Sequence, residues 1–155
     1  MMNRQRRRRG FSLIELLIVI AIILIIITIA LPKFSSAQRY AKETSALGAI
    51  RTIHTMQVQY YSQYGKYATS LTELGPPNSG AASPASADLI DSTLASGEKG
   101  GYKFTLSANS GGYIINAAPV AFGVSGSRTF YSDQSMVVRQ NFGQEPATAN
   151  SPEIK

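Results

Sequence analysis

The stretch Arg6-Arg7-Arg8-Arg9-Gly10-Phe11-Ser12-Leu13-Ile14-Glu15, with the apolar run that follows it to Leu31, governs the reading of the whole chain. From Leu13 to Leu31 only Glu15 and Thr28 are polar. These nineteen residues, rising ~1.5 Å each, span roughly 28 Å, close to the ~30 Å hydrocarbon core of a bilayer. Ile, Leu and Val dominate, and a lone strand cannot satisfy its backbone in lipid, so the run predicts a membrane-crossing helix. Arg4 and Arg6 to Arg9 precede it, and such a basic cluster holds that end on the cytoplasmic side. The remainder of the chain then lies across the membrane. Glu15 is the anomaly, because a carboxylate in an apolar helix costs about 3 kcal/mol and marks a functional position unless it reaches the surface.

Gly10-Phe11-Ser12-Leu13-Ile14-Glu15 behind a short basic leader resembles the class III signal of type IV pilins and of type II secretion pseudopilins. The resemblance implies that a prepilin peptidase removes residues 1–10, cutting between Gly10 and Phe11 and methylating the new amine of Phe11. A cut before the run leaves residues 11–31 in the mature protein as a transmembrane and assembly segment. Phe11 and Glu15, four apart, share one helix face. The resemblance further implies that Glu15 pairs with the free amine of a neighbouring subunit, and that Pro32 marks where the helix loosens on assembly. Phe11, Glu15 and Pro32 are therefore the expected assembly residues. The ordinary alternative is a secretory signal cut near Ser35-Ser36-Ala37. The run exceeds the ~7–15 residues of such a signal's apolar region, and Glu15 is foreign to one.

The net charge of +6 would by itself suggest nucleic acid or an anionic surface. Five of the fifteen basic residues lie in the leader, so residues 11–155 carry ten basic against nine acidic side chains. No nucleic-acid partner is expected. There is no cysteine, so the disulfide-bounded loop of many pilins has no counterpart, although an exported chain would permit one. About 120 residues remain beyond the apolar run, enough for one modest domain with its own core.

Pro32 follows the run directly, and the missing proline N–H leaves the carbonyl of Thr28 without its helical partner. Helical periodicity continues beyond it through Ala37, Tyr40, Ala41, Thr44, Leu47, Ile50, Ile53 or His54, Gln57, Tyr61 and Tyr64. Gln38, Arg39, Lys42, Glu43 and Arg51 are assigned to the opposite, polar face. The prediction is one helix from about Ser12 to Tyr64, bent near Pro32 and roughly 80 Å long, whose amphipathic half covers residues 32–64. Gly65 suits a left-handed C-cap and Ser70 a turn running to Glu73. Tyr64-Gly65-Lys66-Tyr67, continuing to Ser70-Leu71 and Leu74, also resembles the helix exit of many pilins.

Residues 65–101 read as a connecting loop, with a short helical turn near Ser86 to Ala95. Tyr102 to Leu106 alternates, placing Tyr102, Phe104 and Leu106 on one face. Tyr113 to Ala118, Arg128 to Ser132 and Met136 to Arg139 follow, which predicts an antiparallel sheet of about four strands over residues 102–142. Its apolar face must cover the outer helix. Residues 143–155, with Pro146 and Pro152, are expected to form a flexible tail. The fold class is α+β: a long N-terminal helix packed on a C-terminal antiparallel sheet.

Neither catalytic residues nor a cofactor or metal site are assigned. His54 is the sole histidine and lies on the packed helix face or its edge. No nucleophile-elbow, phosphate-loop or metal-ligand spacing occurs. Asp88, Asp91 and Asp133 are loop carboxylates that could gather calcium, and composition leaves that open. The expected function is a structural one: a type IV pilus subunit that waits in the inner membrane with its domain on the periplasmic side, then polymerises into an extracellular filament. Its partners would be copies of itself, the prepilin peptidase and the pilus assembly machinery. Two alternatives stay open, a type II secretion pseudopilin and a membrane-anchored periplasmic binding or enzymatic domain.

Overall fold

The computed structural model describes residues 10–154. Residues 1–9 of the leader, with Arg4 and Arg6 to Arg9, lie outside the described residues. Helix α1, Leu13–Tyr64, contains Pro32 within it. The chain divides into two units, one ending at Ser36 and one beginning at Ala37.

In the first unit every described residue is exposed. Its polar side chains turn to the helix's own backbone: Thr28 Oγ1 donates to the Ile25 carbonyl at 2.7 Å, and the Ser35 and Ser36 hydroxyls donate to the carbonyls of Leu31 and Pro32. Such back-bonding satisfies a hydroxyl locally where no water is available.

In the second unit α1 buries Glu43, Ala46, Ile50, Ile53, Gln57 and Tyr60 in alternating steps of three and four, with Ala49 and His54 beside them. This face is turned from the expected one at both ends, since Tyr40 and Tyr61 are exposed. Glu43, expected on the polar face, is buried. Several frames fit a helix rich in Ala, Thr and Tyr, and the buried ion partner that fixes this one lies far along the chain. Gly65 ends α1 with φ +69° and donates its N–H to the Tyr61 carbonyl at 2.8 Å, a left-handed cap.

The short helix α2, Leu71–Leu74, is N-capped by Ser70, whose hydroxyl accepts from the Glu73 N–H. Helix α3, Ser92–Ala95, is N-capped by Asp91. The sheet is an antiparallel meander in the order β1-β2-β3-β4-β5: Glu98–Lys99, Tyr102–Asn109, Gly112–Pro119, Arg128–Asp133 and Val138–Phe142. Tyr102, Phe104 and Leu106 are buried, joined by Tyr113, Ile115, Ala117 and Phe130 against the α1 face.

The sheet and the tail differ from expectation in three further respects. A fifth strand, β1, is only two residues long and carries no legible alternation. The last strand begins at Val138 rather than Met136, because Asp133 builds a turn there. Its Oδ1 accepts from the Ser135 N–H and hydroxyl, and Met136 takes φ +62°. The tail expected to be flexible is bonded to the sheet instead: the Ile154 N–H donates to Val138 and the Gln140 N–H donates to Pro152, each at 2.9 Å. Arg139 bridges to Glu153 at 2.9 Å, and Ala147 is buried.

Candidate functional site

Two regions concentrate the chemistry. The first is the start of α1. Helix geometry begins at Leu13, leaving Gly10, Phe11 and Ser12 outside it. The Glu15 carboxylate accepts the Ser12 backbone N–H at 2.8 Å, the reciprocal half of a capping box. The Ser-x-x-Glu spacing of Ser12 and Glu15 was the available signal for this contact. It gives Glu15 a partner within its own chain, in addition to whatever partner a second copy could bring. Phe11 is 87% exposed. Beyond it the helix contains an 18-residue window with a mean hydropathy of 3.3 and none of it buried. An apolar surface on every side of a helix needs lipid or protein around it. Near its end, Ile27, Ala30, Leu31, Lys33 and Phe34 shape an apolar groove of about 450 Å³, and Pro32 lies in the same turn.

The second region is the polar interior of the sheet unit. Glu43 of α1 accepts from the Ser127 N–H at 2.8 Å, the Ser127 hydroxyl at 2.9 Å and Arg128 Nε at 2.8 Å, with Arg128 Nη2 at 2.6 Å. Burial opposes ionisation of Glu43, but these bonds outweigh it and hold its pKa below the ordinary carboxylate value. Arg128 also donates to Gln140 Oε1 at 2.8 Å and lies over the rings of Phe130 and Phe142.

His54 is buried between Tyr113 and Ser132, with Nδ1 2.7 Å from the Tyr113 oxygen and Nε2 2.8 Å from Ser132 Oγ. Ser132 Oγ donates to the Val137 carbonyl at 2.9 Å, so it accepts from Nε2–H, and Tyr113 donates to Nδ1. One neutral tautomer satisfies every group. The serine proton is directed to a carbonyl and away from the imidazole, the reverse of a nucleophile activated by a histidine base. Burial lowers the His54 pKa below its ordinary value, opposed by the Asp133 charge, and pushes the Tyr113 hydroxyl up to about 12. His54 is thus a packed core residue.

Gln57 clamps the loop after α1, donating to the Ala68 carbonyl at 2.8 Å and accepting its N–H at 2.9 Å. The three aspartates weighed as calcium ligands are not brought together; among the described residues no cluster of three or more metal-ligating side chains occurs. Asp91 caps α3 and bonds Thr93 and Lys99, Asp133 shapes the turn before β5, and Asp88 sits at φ +56°.

Residues 5–31 match the family described as the prokaryotic N-terminal methylation motif. Over 69 residues the chain is 39% identical to the type IV major pilin protein PilA of Myxococcus xanthus (strain DK1622), a stretch that covers 44% of this chain and 31% of that protein. The chain therefore spans under a third of the length of the curated relative it matches. No solved structure matches it.

Proposed function

We propose that the chain, whose amino-terminal segment matches the methylation motif and resembles a type IV major pilin, is a structural subunit of a type IV pilus. The family is structural rather than enzymatic. The observation that carries the proposal is the exposed apolar segment of α1, opened by a glutamate that its own helix satisfies through a single backbone N–H. In the inner membrane, lipid surrounds this segment. In a polymer, neighbouring copies replace the lipid, and the second unit forms the outer, periplasmic and then extracellular, part.

The processing step assigned to this chain is hydrolysis of the Gly10–Phe11 peptide bond, followed by N-methylation of the Phe11 amine. Both residues lie outside the helix and are exposed, which leaves the bond open to a peptidase. Cleavage creates a cation at Phe11, one turn from Glu15. A carboxylate held by one neutral N–H gains more from a charge-assisted bond. Docking exchanges the weaker partner for the amine of another copy. Pro32, which breaks the ladder at Thr28, is where α1 would loosen as the subunit enters the filament.

The name of the relative, a major pilin, favours a pilus over a type II secretion pseudopilin. The test is the intact mass and amino-terminal peptide of this protein in the sheared extracellular fraction of native cells. Abundant chain beginning at N-methyl-Phe11 is the expected result. Methylated chain confined to membranes would move the assignment to a pseudopilin. An amino terminus near Gln38 would overturn the filament reading altogether.

A further inference from the structure

The second unit has two poles. At one of them β2 begins at Tyr102, β3 ends at Pro119, β4 begins at Arg128 and β5 ends at Phe142. The first turns of α1 within this unit are tied to that pole, through Glu43 to Ser127 and Arg128. Lys42 lies there too, its Cδ 3.4 Å from a Cβ placed on Gly101. At the other pole Gly65 and Lys66, past the end of α1, share a groove with Ala108 and Asn109 at the end of β2 and Ser110 of the turn that follows. The chain coming from Ser36 thus enters the unit at the first pole.

That pole displays apolar side chains to solvent. Val120 is 53% exposed, Phe122 40%, Val124 67% and Phe142 71%. Phe122 and Val120 line one shallow groove with Thr129 and Gln144, and Phe142 pairs with Arg128 at the start of the adjacent strand. The loop that carries three of them is tightly bonded. Val120 N–H donates to Gly101 at 3.0 Å, Ser125 N–H to Ala121 at 2.8 Å and Gly123 N–H to Gly126 at 2.8 Å. The backbone therefore holds these side chains outward. The charged groups nearby are Lys42 and Lys103, with Glu98 opposite Lys103 and Lys99 opposite Tyr102 across the β1–β2 pair, Lys99 bridged to Asp91, and Glu145 beyond β5. Glu43 is already neutralised by Arg128.

We propose that residues 120–125, with Phe142 beside them, form a bilayer-contact surface that lies in the headgroup and acyl boundary while the subunit is a membrane-held monomer. The inference rests on residues 11–31 spanning that bilayer. Glu43 is the twelfth residue after Leu31, so even a fully extended chain keeps Glu43 within about 40 Å of the end of the apolar run. Tethering of this kind replaces bulk encounter with a high effective concentration, and a small apolar patch then suffices. Val and Phe side chains suit shallow insertion, and Lys42 and Lys103 suit anionic headgroups.

The chain has no cysteine, so single labels are clean. Val124→Cys, Ser110→Cys at the opposite pole and Leu24→Cys in the apolar run would each carry a nitrobenzoxadiazole label. The full chain would be reconstituted in phosphatidylcholine–phosphatidylglycerol vesicles with brominated acyl chains. The expected result is strong quenching at Leu24→Cys, and at Val124→Cys quenching about twofold or more above Ser110→Cys, as an interfacial side chain ~5–10 Å deep requires. Quenching at Leu24→Cys with Val124→Cys no different from Ser110→Cys would overturn the contact surface while leaving the membrane span intact. No quenching at Leu24→Cys would remove the span, and the proposal with it. Shielding of Val124→Cys that follows protein density instead of bromolipid content would give the surface to a second copy, and likewise overturn it.

Discussion

Up to Gln38 every described residue of α1 is exposed, whereas from Glu43 onward the same helix buries six residues in a regular stripe. The first portion is apolar on all sides as far as Leu31 and has one carboxylate, bonded to a single backbone N–H. In the second, Glu43, His54 and Gln57 are all buried and all fully partnered, and among the described residues no buried side-chain polar atom lacks a hydrogen bond. One region has its chemistry completed inside the chain and the other does not. Substitutions in the sheet unit should therefore register in folding, and substitutions at the start of α1 should register in what the chain does with its surroundings.

The largest expected effect lies in the first region. Glu15→Ala should leave cleavage at Gly10 intact and reduce sheared filament to near nothing, with the unfolding transition of the sheet unit unmoved. Filament at normal yield, scored by the same N-terminal mass spectrometry, would erase the proposed role of Glu15.

Next comes Arg128→Met. It leaves the buried Glu43 carboxylate without its cation, and breaking such a pair costs about 3–5 kcal/mol. Denaturant unfolding of the full chain in detergent would measure it. Arg128→Met combined with Glu43→Met should recover much of the loss, because the uncompensated charge is then gone. Failure of the double substitution to recover would mean that Glu43 matters for packing more than for charge.

Gln57→Leu should follow at about 1–3 kcal/mol, since it strands both the N–H and the carbonyl of Ala68 in a buried site. A loss below a few tenths would show that the loop repacks around the change.

The smaller effect is pH dependence. The folded pKa of His54 lies below its ordinary value near 6.5, so the unfolded chain binds more protons as pH falls. Stability should be fully present above about pH 6.5 and decline as pH drops through the folded value. His54→Gln, which can still bond Tyr113 and Ser132, should flatten that step. Glu43 and Glu73, both held below the ordinary carboxylate value, would still produce a decline at lower pH. An unchanged profile in His54→Gln would assign the whole acid sensitivity to the carboxylates.

Local signals made much of this architecture legible. The apolar run needed no context, the Gly65 and Ser70 caps act within one turn of the chain, and the β2 alternation of Tyr102, Phe104 and Leu106 expresses a two-residue repeat. Long-range pairing was not legible. Glu43 reads as a surface carboxylate until Arg128, 85 residues on, is folded against it. The turn before β5 depended on the Asp133 side chain outcompeting strand geometry for a short apolar segment. The tail carries two prolines and no periodicity, and its order comes from the edge it meets. At the start of α1, the resemblance implies an intersubunit role for Glu15, while the Ser12-x-x-Glu15 spacing encodes its bond to the Ser12 N–H.

That ordered tail also bears on the exposed edge of the sheet. An open strand edge is a template for any identical edge nearby, and natural sheets cover or interrupt such edges to stay soluble. Here residues 152–154 occupy the outer side of β5, bonded at Val138 and Gln140 and pinned by Arg139 to Glu153. Copies crowded side by side would meet a strand already paired. Residues 152–154 thereby close the outer edge of β5 and leave no run of unpaired backbone there for a second sheet to extend.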